Sequence, residues 1–598
     1  MRRPMRRGGA VAAVGLVVAM LTGCSLGTEE KSAGDGCTRV VVATSSEKVN
    51  LMSDLGDAFK SSPEQKALST CTTIVPINVS SGAATDVLVQ DPDEWPGLDE
   101  EYWPTVWSPA STIWTDRVTA AGNANLIQDA ASFAKTPVVL AMPESMAAAL
   151  GYPGKQVSLE DIAKLIAAPD GWASVGKPLW GAFKIAKTNP TTSTTGLEMI
   201  LMQAYAAAKK QDGLSAADIA AAAAFSTTFE SGAIHYGDTT GKVLTTLYNE
   251  GQSGESGSAY VSAVAVEETS LLNYNQGNPD SHTVQPGEKL TPPKEKLVAV
   301  YPSGGSMFSD DPAAVLGSPW VSDAQRAAGE AFVRFLATTP AQEILPTYGF
   351  RPLDASVDVT DHLNSDVGID PAQPAVALPK PSPDVVSAAL DSWATIRKPS
   401  AVLELIDISG SMLDDAGNGE SKLDGAIDAA KSTLANVRSS DEIGVWAFTT
   451  GIASDHGDDV VPLREFAPLG GDLESLRGTI DDLSYAEYGG TPLYDAIGSA
   501  YDFMLQHVDP ARINAIVVLS DGQDTDSATS LGSLLVKIGS SAKEGAAKSP
   551  VRIFTIAYGE DADTKVLGKI ATASGGQGFD ATDPTKLDAV FASVMNNF

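Results

Sequence analysis

Three oxygen-bearing side chains stand at alternate positions of the stretch D-I-S-G-S: Asp407, Ser409 and Ser411, with Gly410 allowing a tight turn. Two more follow, Thr491 in G-G-T-P and Asp521 in L-S-D-G. Hydroxyl and carboxylate oxygens suit a hard octahedral cation, Mg2+ or Mn2+, rather than a soft one. With only two protein carboxylates such an ion keeps net positive character. At average residue usage D-x-S-x-S arises by chance in roughly one of five chains this long, so its meaning depends on what positions it. Asp414 and Asp415, just beyond the first loop, read as a solvated rim.

The surrounding pattern supplies that position. Ala401 to Ile406, Glu442 to Phe448, Ile513 to Leu519 and Val551 to Ala557 are nearly continuous apolar runs, as in strands buried on both faces of a parallel sheet. Between the first two, Leu423, Ile427, Ala430, Leu434 and Val437 are spaced four, three, four, three, one face of a 3.6-residue period. Ile497, Ala500, Tyr501 and Met504 repeat it. Strand, helix, strand in this order predicts right-handed crossovers and a doubly wound sheet with its site at the carboxyl ends of the strands. Asp407 ends the first strand, Asp521 follows the third, and Thr491 opens the helix before it, so three loops converge on one sheet edge.

This set resembles the metal-ion-dependent adhesion site of von Willebrand factor type A domains, over about residues 398 to 598 with every motif in order. The resemblance implies that Ser409, Ser411 and Thr491 coordinate directly or through water, and that Asp407 and Asp521 act mostly through water. The open position would be filled by a Glu or Asp of a protein partner.

Upstream, from about Thr38 to Pro352, short apolar strands such as Arg39 to Ala43 and Leu297 to Tyr301 alternate with Ala-rich helical stretches, which argues α/β. Ser45 and Ser46 lie where a strand gives way to a helical stretch, and Ser193, Thr194, Thr195 and Gly196 precede another. Hydroxyls and free N–H groups at helix starts make an anion or polar-ligand pocket without a charged side chain, although each such residue alone also reads as an N-cap. Ser81, Ser108 and Ser111 are further cleft candidates. Residues 38 to 355 resemble an extracellular solute-binding protein of the type II periplasmic class, two lobes around a cleft, through V-V-V-A-T-S-S-E-K at 40 to 48, V-W-S-P-A-S-T-I-W at 106 to 114, T-N-P-T-T-S-T-T-G at 188 to 196, Y-P-S-G-G-S at 301 to 306, D-D-P-A-A-V-L-G-S-P-W at 310 to 320, and A-F-V-R-F-L through Y-G-F-R-P at 331 to 352.

The expected fold is therefore α/β throughout: a two-lobed periplasmic-binding-protein-like domain, then a doubly wound, mainly parallel Rossmann-like sheet. Residues 356 to 383, carrying Pro371, Pro374, Pro379, Pro381 and Pro383 without a sustained period, read as an extended connection. Ser382 and Pro383 then open a helix through Trp393 to Ile396, which starts a second domain of residues 384 to 598.

The start reads as an address. Four arginines within Met1 to Arg7 precede an apolar run from Ala10 to Leu21, too short for a permanent membrane span, then Leu21, Thr22, Gly23 and Cys24. This resembles the bacterial lipobox, which implies removal of residues 1 to 23 and lipidation of Cys24, palmitate among the acyl groups. Ser25 to Gly36 are small and polar, a flexible tether within residues 24 to 37. The protein is thus expected at the cell membrane, lipid-anchored and facing the extracytoplasmic side, where Cys37 and Cys71 pair as a disulfide or remain buried thiols. A net charge of −34 repels nucleic acid and anionic headgroups.

His235, His282, His362, His456 and His507 share no short metal-ligand spacing, and no nucleophile elbow, P-loop or catalytic cysteine occurs, so no enzyme is expected. The expected function is a binding protein that grips an acidic group of a protein partner through the metal, with the first domain as a sensor of a small solute or a second binding module. The alternative is a solute receptor for an ABC permease with an accessory docking domain.

Overall fold

The computed structural model describes residues 36–598 apart from 91, 96, 97, 238, 254–260, 417, 418, 435, 436, 455, 456, 484–488, 522 and 544–550. The arginine-rich leader and Cys24 lie outside the described residues. Among the described residues no helix is long and apolar enough to cross a membrane.

Two sheets build the first region. In the first lobe the order is Thr72–Asn78, Thr38–Thr44, Val106–Ser108, Pro312–Leu316, Ile127–Ser132. The first three strands are mutually parallel, and Pro312–Leu316 is antiparallel to both its neighbours. Val40 and Val42 pack with Leu51, Leu55, Phe59, Phe332 and Phe335 in the core of this lobe. The second lobe is ordered Phe308–Ser309, Ala134–Pro143, Ala263–Glu267, Ile185–Thr188, Ala233–Gly237. The chain passes between the sheets from Ser132 to Ala134 and from Ser309 to Pro312. At these crossings Lys48 and Asp311 form an ion pair of 3.0 Å with both side chains fully buried, and the Lys48 ammonium also donates to the carbonyl of Pro109 at 2.7 Å.

The proline-rich connection is packed along the second lobe. Leu363 and Ile369 are buried in its core, the Leu378 N–H donates to the Ser306 carbonyl, and the Tyr205 hydroxyl donates to the Pro379 carbonyl at 2.7 Å. Beyond one parallel bridge of Ala377 to Ser306, the segment and the residues leading into it close their backbone in local turns. Asp354, Asp358, Asn364 and Asp370 each accept from the N–H two residues on.

The last region is one six-stranded sheet ordered Gly457–Pro468, Glu442–Ser454, Ser400–Asp407, Ile513–Ser520, Arg552–Tyr558, Gly578–Ala581. All neighbours are parallel except the antiparallel edge strand Gly457–Pro468. The expected inner strands are present, Glu442–Ser454 running on into the hairpin, and the two outer strands are additions to the expected sheet. Leu403 and Leu405 pack under helices Leu493–Gln506, Leu531–Lys543 and Thr564–Ala573. Val402 and Ile406, on the opposite face, meet Leu423, Ala430, Ile480 and Phe591 of helices Lys422–Thr433, Leu473–Asp481 and Leu587–Met595. Alternation of side chains along the strand therefore divides one apolar run between two helical layers.

The two regions share an interface. Helix Pro383–Ile396 opens after Ser382 as expected, and its Trp393 stacks edge-on against Tyr236 with ring centroids 4.6 Å apart. Ala233–Gly237 is the edge strand of the second lobe, and the C-terminal region satisfies its outward groups. Lys398 Nζ donates to the Ala233 carbonyl at 2.9 Å, Arg552 Nη1 to the Ile234 carbonyl at 3.0 Å, and the Tyr236 N–H to the Asn597 carbonyl at 3.1 Å.

Candidate metal centre and solute cleft

Parallel register brings the expected metal residues to one sheet edge. Asp407 pairs with Phe448, and Ile406 with Leu519, so the loops after Ser400–Asp407 and Ile513–Ser520 emerge side by side. Asp407 is fully buried. One of its carboxylate oxygens accepts from the Ser409 N–H at 2.9 Å, the other from the Ser520 hydroxyl at 2.7 Å. Burial pushes this carboxyl up to about 6, against the pull of those hydrogen bonds. The Ser409 and Ser411 hydroxyls lie 3.1 Å apart, and the Ser411 hydroxyl donates to Asp521 Oδ1 at 2.9 Å.

Thr491 is brought up by its loop. The Gly410 N–H donates to the Gly489 carbonyl at 3.0 Å, while the Thr491 N–H donates to the Thr525 hydroxyl at 2.9 Å. The two glycines of G-G-T-P meet close neighbours, and the first is confined against the buried Thr449. A Cβ on Gly489 would lie 1.9 Å from the Thr449 hydroxyl oxygen, and one on Gly490 1.8 Å from Asp526 Oδ2. Asp414 and Asp415 stay on the exposed rim.

Sequence reasoning did not identify Ser520, which pins Asp407, or Lys422, whose ammonium reaches Asp521 Oδ2 at 2.8 Å. Ser520 was legible only as the neighbour of Asp521, and Lys422 only as a residue at a helix start.

Among the described residues no three His, Cys, Asp or Glu side chains group closely enough to hold a metal. A centre here would rest on hydroxyl oxygens with two carboxylates behind them. The donor chemistry of Asp407, Ser409, Ser411, Thr491 and Asp521 fits a hard cation, since it is all oxygen and two of the hydroxyls already face each other.

The lobes of the first region enclose a second candidate site. Ser45, Ser46 and Ser81 from one side and Ser193, Thr194 and Thr195 from the other line a narrow cavity of about 40 Å³. Helices Ser81–Gln90, Thr194–Ala208 and Thr240–Ser253 all begin at this lining. Ser108 and Ser111 do not reach it. The Ser108 hydroxyl is fully buried and donates to the Pro312 carbonyl at 2.8 Å. Ser111 caps helix Thr112–Val118 and donates to Asp310 at 3.2 Å. Both make their hydrogen bonds at the crossing between lobes, outside this lining. The lining also carries carboxylates, Glu47 and Glu267, where the sequence reading required no charged side chain. Burial pushes Glu267 up to about 7, and it accepts from the Ser309 hydroxyl at 2.9 Å. Cys37 and Cys71 are joined as a disulfide.

Comparison with known proteins agrees with both halves. The family described as bacterial extracellular solute-binding protein matches residues 40–351, and the von Willebrand factor type A domain matches residues 402–593. An uncharacterised protein of Mycobacterium tuberculosis strain H37Rv is 24% identical over 516 residues, 84% of this chain and 68% of that protein. Among solved structures, the sulfate-binding protein SubI from Mycobacterium tuberculosis H37Rv is 14% identical with a TM-score of 0.37, covering 60% of this chain and 98% of its own. The von Willebrand factor type A structure from Catenulispora acidiphila is 21% identical with a TM-score of 0.26, covering 33% of this chain and 42% of its own. The chain belongs to the bacterial extracellular solute-binding proteins and joins to that domain a C-terminal von Willebrand factor type A domain.

Proposed function

We propose that this is a lipid-anchored extracytoplasmic binding protein whose C-terminal domain grips an acidic group of a protein partner through Mg2+ or Mn2+, while the first domain senses a small solute. The observation that carries the reading is the convergence of three loops on one sheet edge, with Ser409, Ser411 and Asp521 already in contact. A divalent ion bound there would supply a positive centre for an incoming carboxylate. The chain's own residues do the positioning. Asp407 is locked by Ser409 and Ser520, Ser411 bridges to Asp521, and the Gly489 carbonyl ties the Thr491 loop to the first loop.

The sensor role is supported by Asn189. Its main-chain N–H donates to Gly237 in the edge strand, and its carbonyl accepts from the Ser193 N–H in the cleft wall. Its side-chain amide donates to Asn596 at 3.3 Å, at the end of the last helix of the second domain. These bonds give a cleft wall a direct connection to the second domain, by which a shift of that wall would reach it.

The test is retention of the purified chain on an immobilised glutamate-rich peptide in Mg2+ or Mn2+. Retention lost both in excess chelator and in Asp407→Ala is the expected result. Retention unaffected by either overturns the metal-dependent reading.

A further inference from the structure

We infer that Lys422 sets the charge of the candidate metal centre, and so determines its preference for an anionic ligand. This rests on the metal-dependent reading above and goes beyond it to a residue outside the five oxygen donors.

The lysine is placed deliberately by the fold. It is the first residue of helix Lys422–Thr433, whose start is capped when the Ser421 hydroxyl accepts from the Asp424 N–H at 3.1 Å. Its own N–H donates to the Asp414 carbonyl at 3.0 Å. The stem runs past Gly559, where a Cβ would lie 3.1 Å from Lys422 Cε and where φ is +83°. The tip ends on Asp521 Oδ2 at 2.8 Å, with side-chain exposures of 7% for Lys422 and 0% for Asp521. A pair so enclosed is little screened by salt.

The two oxygens of Asp521 therefore have different duties. Oδ1 belongs to the hydroxyl set through Ser411, and Oδ2 belongs to the ammonium. Two carboxylates behind the hydroxyl oxygens would offset much of a divalent ion's charge, and the buried ammonium adds one positive charge beside what remains. The consequence is twofold: Lys422 opposes cation binding, and it favours any anion that completes the site. In a chain of net charge −34 this gives one locally cationic point, suited to a carboxylate.

The experiment compares the purified full chain with Lys422→Met and Lys422→Arg. Free Mn2+ is followed by electron paramagnetic resonance, acetate binding to the Mn2+-loaded chain by water-proton relaxation, and folding by thermal midpoint. The expected result is that Lys422→Met binds Mn2+ about three- to tenfold more tightly and acetate about three- to tenfold more weakly, while Lys422→Arg stays near wild type. Unchanged or weaker Mn2+ binding in Lys422→Met, or unchanged acetate affinity, overturns the inference alone. A wild-type chain that binds no Mn2+ overturns the metal-dependent reading and this inference with it.

Discussion

Asn189 and Asn596 are 407 positions apart in sequence, yet the side-chain amide of the first donates to the carbonyl of the second at 3.3 Å. The contact joins a wall of the cleft to the end of the last helix, beside the hydrogen bond from Tyr236 to Asn597. Phe598 adds an edge-on ring contact with Phe554, centroids 5.2 Å apart.

Deleting Asn596 to Phe598 therefore leaves the Tyr236 N–H without its acceptor and loosens the edge strand. An orphaned buried N–H costs about 1–3 kcal/mol. The expected result is faster amide exchange across 189–193 and 233–237 with a lower thermal midpoint. Unchanged exchange in both segments would contradict a mechanical link between the domains.

Lys48 and Asp311 make a fully buried pair where the lobes join. Lys48→Met strands the carboxylate and is expected to destabilise the first domain by about 3–5 kcal/mol in denaturant titration. The double variant Lys48→Met with Asp311→Leu is expected to recover part of that loss. A single variant as stable as wild type would show that the pair contributes nothing.

Glu404 lies mid-strand between Val445 and Val517, with Oε2 buried and unpartnered, and burial pushes its carboxyl up to about 7. The folded state holds this proton more tightly than the unfolded chain. The contribution is therefore fully present below the ordinary glutamate range near 4.5 and is lost as pH rises through about 7. The loss is on the order of a few kcal/mol. Glu404→Gln is expected to flatten the fall in thermal midpoint between pH 5 and pH 8. The same fall in wild type and variant would assign it to other groups.

The convergence of these five oxygen-bearing side chains was legible because D-I-S-G-S, G-G-T-P and L-S-D-G each sit beside a strongly periodic element, and parallel strands deliver their loops to one edge. The edge strand Gly457–Pro468 was not, since it carries two prolines and alternates buried with exposed positions only weakly. Lys422 and Ser520 were missed because their importance lies in contacts 99 and 113 positions away. Ser108 and Ser111 resembled cleft hydroxyls by their place after a strand, and only the fold shows them turned toward the crossing. The connection 356–383 was legible as irregular but not as packed, because side-chain-capped turns leave no periodic signal.

The most direct test of the central claim is calorimetric titration of the full chain with Mg2+ and Mn2+, comparing wild type with Asp407→Ala and Ser409→Ala. Binding of one ion per chain in wild type, abolished by Asp407→Ala and weakened by Ser409→Ala, is the predicted result. Equal binding in all three chains, or none in wild type with or without a glutamate-rich peptide, would contradict it.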